Sequence, residues 1–409
     1  MYAIKIELKL NNSQQALMAK HAGFSRFIYN YGLALYNGLD HKVYKGGVNK
    51  KLLAIKKVLT GYTKKQVCNS WMNKLSSRVY QNALRDLNKA FSRYFDGRAE
   101  KPVFKKKKDK SSFTVDASNG LVLLDTRKRI KIPTLGTFRL KESLTNKYVT
   151  QTFTISRTAN KWYVSFTINA ERIPPLYHEV TEKTGIDLGV KLFATLSDHT
   201  TYTAPKLYKK AKTKLGKKQY HNRNKQLGNR KQKIKASNNA KKFYAKVACI
   251  HADIANVRND FLHKTTTEIS KKYSHIRIED LNLSGMIANH KLARAISDLG
   301  LYEFRRQLIY KSPIYGTTVE LVDRWYPSSK TCNACGHIQP MPLKERTFVC
   351  QNCNYIIDRD LGAAINLANV PDNKVRLAKP EVTPVDKKMP TSLDEAGIGQ
   401  HGKLCVSSL

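Results

Sequence analysis

The sequence predicts an α/β domain in its C-terminal half, preceded by a small β-barrel into which a helical bundle is inserted. Three observations carry this. Apolar and polar residues alternate at residues 4–10 and again between 121 and 168, the period of half-buried strands, on either side of a helical stretch. The apolar strands GIDLGV (185–190) and SHIRIE (274–279) are separated by a long helical segment, as a sheet layered with helices requires. A formal charge of +42 over 409 residues, from 73 Lys and Arg against 31 Asp and Glu, accompanies 41% hydrophobic residues, so the chain builds real cores while its surface demands a polyanion.

Taken in order, Ile4, Ile6, Leu8 and Leu10 form one face of a first strand, broken by Asn11 and Asn12, and Ser13 opens a helix. Helical spacing then runs to about Phe95, with Phe24, Phe27, Ile28, Tyr31 and Leu35 on one face and Leu84, Leu87, Phe91 and Tyr94 on another; such stripes are core packing before they are base-stacking platforms. After the basic run 101–110, short strands are expected at Leu121–Leu124, Arg129–Ile132, Thr152–Ser156 and Trp162–Ile168, with a hairpin loop at 158–161. Pro174 and Pro175 mark a junction. Residues 206–246 hold sixteen Lys or Arg and no acid, too dense a like charge for a merely solvated helix. A strand over 317–325 leads to the cysteines, and beyond about 371 the periodicity fades into an expected disordered tail. With no long apolar run and no signal-like N-terminus, a cytoplasmic protein is expected.

Cys332, Cys335, Cys350 and Cys353 form two CxxC pairs whose spacing suits one tetrahedral Zn²⁺ closed by four thiolates, a structural rather than catalytic arrangement. Cys68, Cys249 and Cys405 stand apart and read as ordinary thiols. Three acidic positions are set on predicted α/β elements: Asp187, Glu279, and Asp358 or Asp360. Carboxylates converging on a sheet edge are what paired divalent ions need for phosphodiester hydrolysis. Each also has a plainer reading: Asp187 ends a strand, Glu279 pairs with a lysine, Asp360 caps a helix.

GIDLGV, RIEDLNL, VDRWYPSSKTCNACG and DRDLGAAINL together resemble the TnpB family of transposon-encoded RNA-guided nucleases, similar to the presumed ancestors of type V CRISPR effectors. The resemblance implies an RNase H-like RuvC nuclease domain at 181–370 with a zinc finger inserted at about 326–357. It implies a wedge β-barrel from 1–10 and 98–180, and a helical recognition domain at 11–97, leaving 371–409 as the tail. Its motifs carry the metal-binding acids onto Asp187, Glu279 and Asp360, with Asp280 and Asp358 as neighbouring alternatives; Asp360 is preferred from the acid's place ahead of the paired alanines Ala363 and Ala364. Gly362 departs from the family, which commonly has Asn there. The implied cofactors are two Mg²⁺ ions, or Mn²⁺, and one structural Zn²⁺. The implied partners are a guide RNA from the transposon end and double-stranded target DNA, with no membrane, and a monomer or dimer on one RNA. A cleavage-impaired RNA-guided repressor and a nucleic-acid-binding accessory protein of transposition are the other functions open to the sequence; retention of all three acids favours the endonuclease, and no His pair with a catalytic Tyr marks a strand transferase.

Overall fold

A computed structural model describes residues 2–39, 47–107, 111–117, 122–124, 128–144, 147–168, 180–205, 207–226, 228, 229, 232, 234–289, 293–342 and 344–378. They divide into two compact units, Met1–Glu171 with Asn224–Cys249, and Arg172–Arg223 with Ile250–Glu381.

The first unit opens with β1 (Tyr2–Lys9) and α1 (Asn12–Gly38). Asn11 caps α1 by accepting from the Gln14 amide at 2.8 Å, while the Gln14 side chain accepts from the Asn11 amide at 3.1 Å. This reciprocal capping starts the helix one residue before Ser13. Two further helices follow, α2 (Val48–Gly61) and α3 (Ser77–Phe95), then seven strands: β2 (Ser112–Asp116), β3 (Val122–Leu124), β4 (Arg129–Ile132), β5 (Gly136–Leu140), β6 (Tyr148–Thr150), β7 (Thr152–Thr158) and β8 (Lys161–Ile168). The main sheet has the order β2-β7-β8-β1-β5-β4, with β1 paired antiparallel to both β8 and β5. The N-terminal strand therefore sits mid-sheet, and the bundle is an insertion between β1 and β2. The sheet is open: β2 and β4 are edges, and β3 pairs separately with β6, so no closed barrel forms among the described residues. Phe24, Ile28, Leu84, Leu87 and Phe91 share one core with Ile6, Val164 and Phe166, which makes the aromatic stripes packing surfaces, although Tyr94 stays 37% exposed.

The second unit is built on β9 (Val180–Leu188), β10 (Ala194–Leu196), β11 (Thr201–Tyr202), β12 (Tyr273–Glu279), β13 (Thr318–Val322) and, past a separate hairpin, β16 (Val375–Leu377). The hairpin is β14 (Thr347–Val349) with β15 (Ile356–Asp358). Helices α4 (Leu207–His221), α5 (Asn238–Lys272) from Ile250 onward, α6 (Leu283–Ala288), α7 (Ala293–Leu299), α8 (Leu301–Tyr315) and α9 (Arg359–Ala368) belong to it. The sheet runs β11-β10-β9-β12-β13-β16, with β9, β12 and β13 parallel and the rest antiparallel. Ile186, Ile276, Ile278, Phe304 and Leu308 form its buried core.

Two boundaries differ from the sequence reading. Residues 224–249 group with the first unit, so 181–370 is not one continuous compact body. The tail also begins later than 371, because Val375–Leu377 adds an antiparallel strand to β13; three residues are too short to show a period. Residues 379–409, with Cys405, and parts of the runs 101–110 and 121–124 lie outside the described residues.

Candidate functional site

Register brings the first two acids together. Ile186 of β9 stands opposite Ile278 of β12, so Asp187 and Glu279, each one residue further, emerge from parallel strands at the same level. Glu279 is in turn opposite Val322, after which the chain leaves β13 through Asp323 to Trp325. Side chains at the C-terminal edge of parallel strands face a common crevice, the usual ligand position of such sheets.

The third acid arrives on α9, and a glycine sets how closely. A Cβ at Gly185 would collide with the Ala364 carbonyl and lie 2.5 Å from the Ala368 nitrogen, so only glycine lets the helix rest on β9 two residues before Asp187. Asp358 caps α9, its Oδ1 accepting from the Asp360 and Leu361 amides at 3.0 and 3.1 Å. The helix thus starts at Arg359, with Asp360 in its first turn rather than at its cap. Asp187, Glu279 and Asp360 line one cleft of about 590 Å³ with Arg324, Lys330 and Arg346 on its walls. Asp280 does not line it: its carboxylate meets Arg305 at 2.7 Å, Arg376, and Arg324 at 3.8 Å.

The cleft is electrostatically strained. Burial, then the charges of Asp360 and Glu279, push the Asp187 carboxyl up to about 7, against a smaller opposing pull from Arg359. Burial and adjacent Asp280 raise Glu279 to about 7 as well. Asp360 is flanked by Arg359 at 3.3 Å and Arg346 at 3.5 Å. Desolvated like charges of this kind favour a cation among them, and all-carboxylate oxygen donors fit a hard divalent ion.

The four cysteines converge as their spacing predicts. Their sulfurs all lie within 4.8 Å of one another, with Cys332–Cys353 and Cys335–Cys350 at 3.6 Å. Zn–S bonds of about 2.3 Å in a tetrahedron place sulfurs about 3.8 Å apart, so the donor set fits zinc. Each pair is followed by a residue of positive φ, Gly336 at 74° and Asn354 at 57°, which turns the chain back; the Gly336 and Asn354 amides donate to the carbonyls of Cys332 and Cys350 at 3.1 and 3.0 Å.

Side chains that motif spacing does not mark join these parts. Asn333, between the first two cysteines, donates to the Gly362 carbonyl at 3.0 Å and to Asn366 Oδ1 at 2.9 Å; Asn366 donates to the Ser328 and Thr331 carbonyls at 2.7 and 2.8 Å. The cysteine cluster is thereby tied to the middle of α9. At the other end of α9, Arg277, 1% exposed, donates to the Ala368 carbonyl at 3.0 Å and to Val370, and pairs with Glu320 at 2.7 Å and with Asp372. Arg277 is two residues from Glu279 on β12, so one guanidinium links the strand of the second acid to the helix of the third. An arginine between two isoleucines in an apolar strand is the one sequence signal that marked it.

Comparison with known proteins finds matches along most of the chain. Residues 165–290, which hold Asp187 and Glu279, match the family model "Probable transposase", and 302–367, which hold the cysteines and Asp360, match "Cas12f1-like, TNB domain". Residues 1–38 match "Helix-turn-helix domain", although here they form one strand and one long helix. "Putative RNA-guided DNA endonuclease InsQ" of Escherichia coli K12 is 33% identical over 385 residues, covering 90% of this chain and 91% of its own. "Putative RNA-guided DNA endonuclease" of Streptomyces pristinaespiralis is 33% identical over 374 residues, covering 89% and 88%. In fold, the chain resembles the Cas12f1 protein of a cryo-EM complex with sgRNA and target DNA, at a TM-score of 0.53 and 14% identity over 90% of this chain and 84% of that one. Fold and site define a transposase-related protein with the architecture of a Cas12f effector. The chain belongs to the TnpB family.

Proposed function

We propose that the protein is a transposon-encoded RNA-guided DNA endonuclease, with Asp187, Glu279 and Asp360 as its catalytic, metal-binding acids. The observation that carries this is one cleft lined by three carboxylates from three distant motifs, two of them raised to about 7, Asp187 by burial and the charges of Asp360 and Glu279, Glu279 by burial and adjacent Asp280. The parallel arrangement of β9, β12 and β13 supports an RNase H-like, RuvC-type domain, and the open six-stranded sheet with its inserted helices supports the wedge and recognition domains. Relatives named as RNA-guided DNA endonucleases support a guide RNA and a double-stranded DNA target as partners, as does the +42 charge. Among the described residues no helix is long and apolar enough to cross a membrane.

Asp187, Glu279 and Asp360 would hold two Mg²⁺ or Mn²⁺ ions, which when bound activate water and offset charge at the scissile phosphate. The chain's own part is to exclude solvent from the acids, engage Asp280 with arginines and Asp358 with the α9 amides, and line the approach with Arg324, Lys330 and Arg346. Cys332, Cys335, Cys350 and Cys353 would hold one Zn²⁺, which leaves no open coordination position and so braces the entry to α9. Asp187→Ala is the test: the purified variant is expected to keep RNA and target binding and to lose cleavage, and undiminished cutting sinks the assignment.

A further inference from the structure

Two neighbouring aromatics after β13 are used in opposite ways. Tyr326 is partly buried against the small cluster of Val322, Leu367 and Val370. Trp325 is 85% exposed, and it lines the carboxylate cleft. Among the described residues its indole pairs with no other ring and no cation, so the fold does not use it. Its backbone is nonetheless held: the Trp325 amide donates to Asp323 Oδ1 at 2.8 Å, and the Tyr326 amide donates to the Asp323 carbonyl at 3.0 Å, closing a tight turn that carries the ring. A large apolar ring presented to water from a closed turn, lining the same cleft as Arg324, Lys330 and Arg346, is the pairing of aromatic face and backbone-binding cations by which proteins hold single-stranded nucleic acid.

We propose that Trp325 is the stacking platform for an unpaired base next to the phosphate presented to the cleft, with Arg324 and Lys330 on the flanking backbone. A base inside a duplex has both faces covered by its neighbours, so the ring selects a strand already separated from its partner. It selects no sequence, since every base offers a π-face. This rests on the endonuclease reading for its substrate, single-stranded DNA, but the stacking is measurable without cleavage.

The test uses the full chain with the RNA that purifies with it and a single-stranded oligodeoxynucleotide of roughly 12 nucleotides carrying one 2-aminopurine, moved along the strand, without added divalent ions. Wild-type protein is expected to quench the probe at one position. Trp325→Ala is expected to abolish that quench and raise Kd about tenfold, with zinc content and melting temperature unchanged; Trp325→Tyr should restore most of both. KM for cutting the single strand should rise in step. Equal quench and Kd for wild type and Trp325→Ala overturn the proposal, as does absence of any quench by the wild type. Quench by a wild type that cuts nothing once Mg²⁺ is supplied leaves the stacking site standing and overturns the endonuclease reading instead.

Discussion

The carboxylate cleft and the cysteine cluster are seven residues apart between Cys353 and Asp360, yet they are assembled in opposite ways. Two local turns, each closed by its own amide hydrogen bonds, gather the four soft sulfurs within 4.8 Å of one another. The three hard carboxylates come from residues 187, 279 and 360 and depend on parallel pairing, a glycine contact and a buried arginine to reach one cleft. Among the described residues the carboxylate oxygens do not gather as tightly as the sulfurs do. A closed set of donors is saturated by its ion and stabilises; an open set leaves room for water and substrate. The difference teaches that the local site is specified by a short stretch of chain and that the dispersed one depends on the whole sheet.

The sharpest way to break the contrast is Asp187→Asn. Cleavage is expected to fall by more than about a hundredfold, beyond what losing a supporting group alone does. The same change should raise the melting temperature of metal-free protein at pH 8. Asp187 has a folded value of about 7 against 3.8 unfolded, so between those values the folded state holds a proton that the unfolded state has released. Stability of the metal-free wild type therefore rises as pH is lowered from 8 toward 5, Glu279 adding in the same direction, and the rise is smaller in the variant. A melting curve independent of pH in both proteins contradicts this account.

Cys350→Ser comes next. Zinc content should drop well below one ion per chain, and cleavage should fall about ten- to a hundredfold through the loss of support to α9. Full activity without zinc would show that the two sites are independent.

Asn333→Ala tests the bridge itself. Zinc should stay bound, whereas cleavage should fall several-fold, since two hydrogen bonds to α9 are each worth about 0.5–1.5 kcal/mol. The smallest effect is expected from Gly362→Asn, which restores the common family residue. Its Cβ would lie 3.0 Å from Asn333 Oδ1 and 3.2 Å from Ile357 Cγ2, so crowding offsets the gain in helix propensity. Stability within about 1 kcal/mol of wild type is expected by chemical denaturation; a larger gain would mean that Asn333 yields without cost.

What the sequence disclosed follows the same division. The cysteine cluster was legible in full, because its geometry is set within 22 residues and spacing alone encodes it. Strands β1, β4, β7 and β8 showed their period, while β2, β5 and β6 were missed: β6 is three residues long, and β5 begins at a glycine. The motifs singled out Asp187 and Glu279 and preferred Asp360 to Asp358 from its place ahead of Ala363 and Ala364; what spacing could not supply is the geometric distinction, that one carboxylate caps a helix and the other lines the cleft. Arg277 and Asn333 were invisible as connectors, since the partners of Arg277 on α9 and beyond it lie more than 90 residues away and those of Asn333 about 30.

Arg277 also sets how the second unit can come apart. With its guanidinium shared among β12, Glu320 of β13 and the carbonyls that end α9, none of these elements can open without stranding a buried charge. Amide hydrogens of β12 and of the last turn of α9 should then exchange with solvent in a single slow class, through one common opening, while those of the exposed turns around Cys335 and Cys353 exchange earlier.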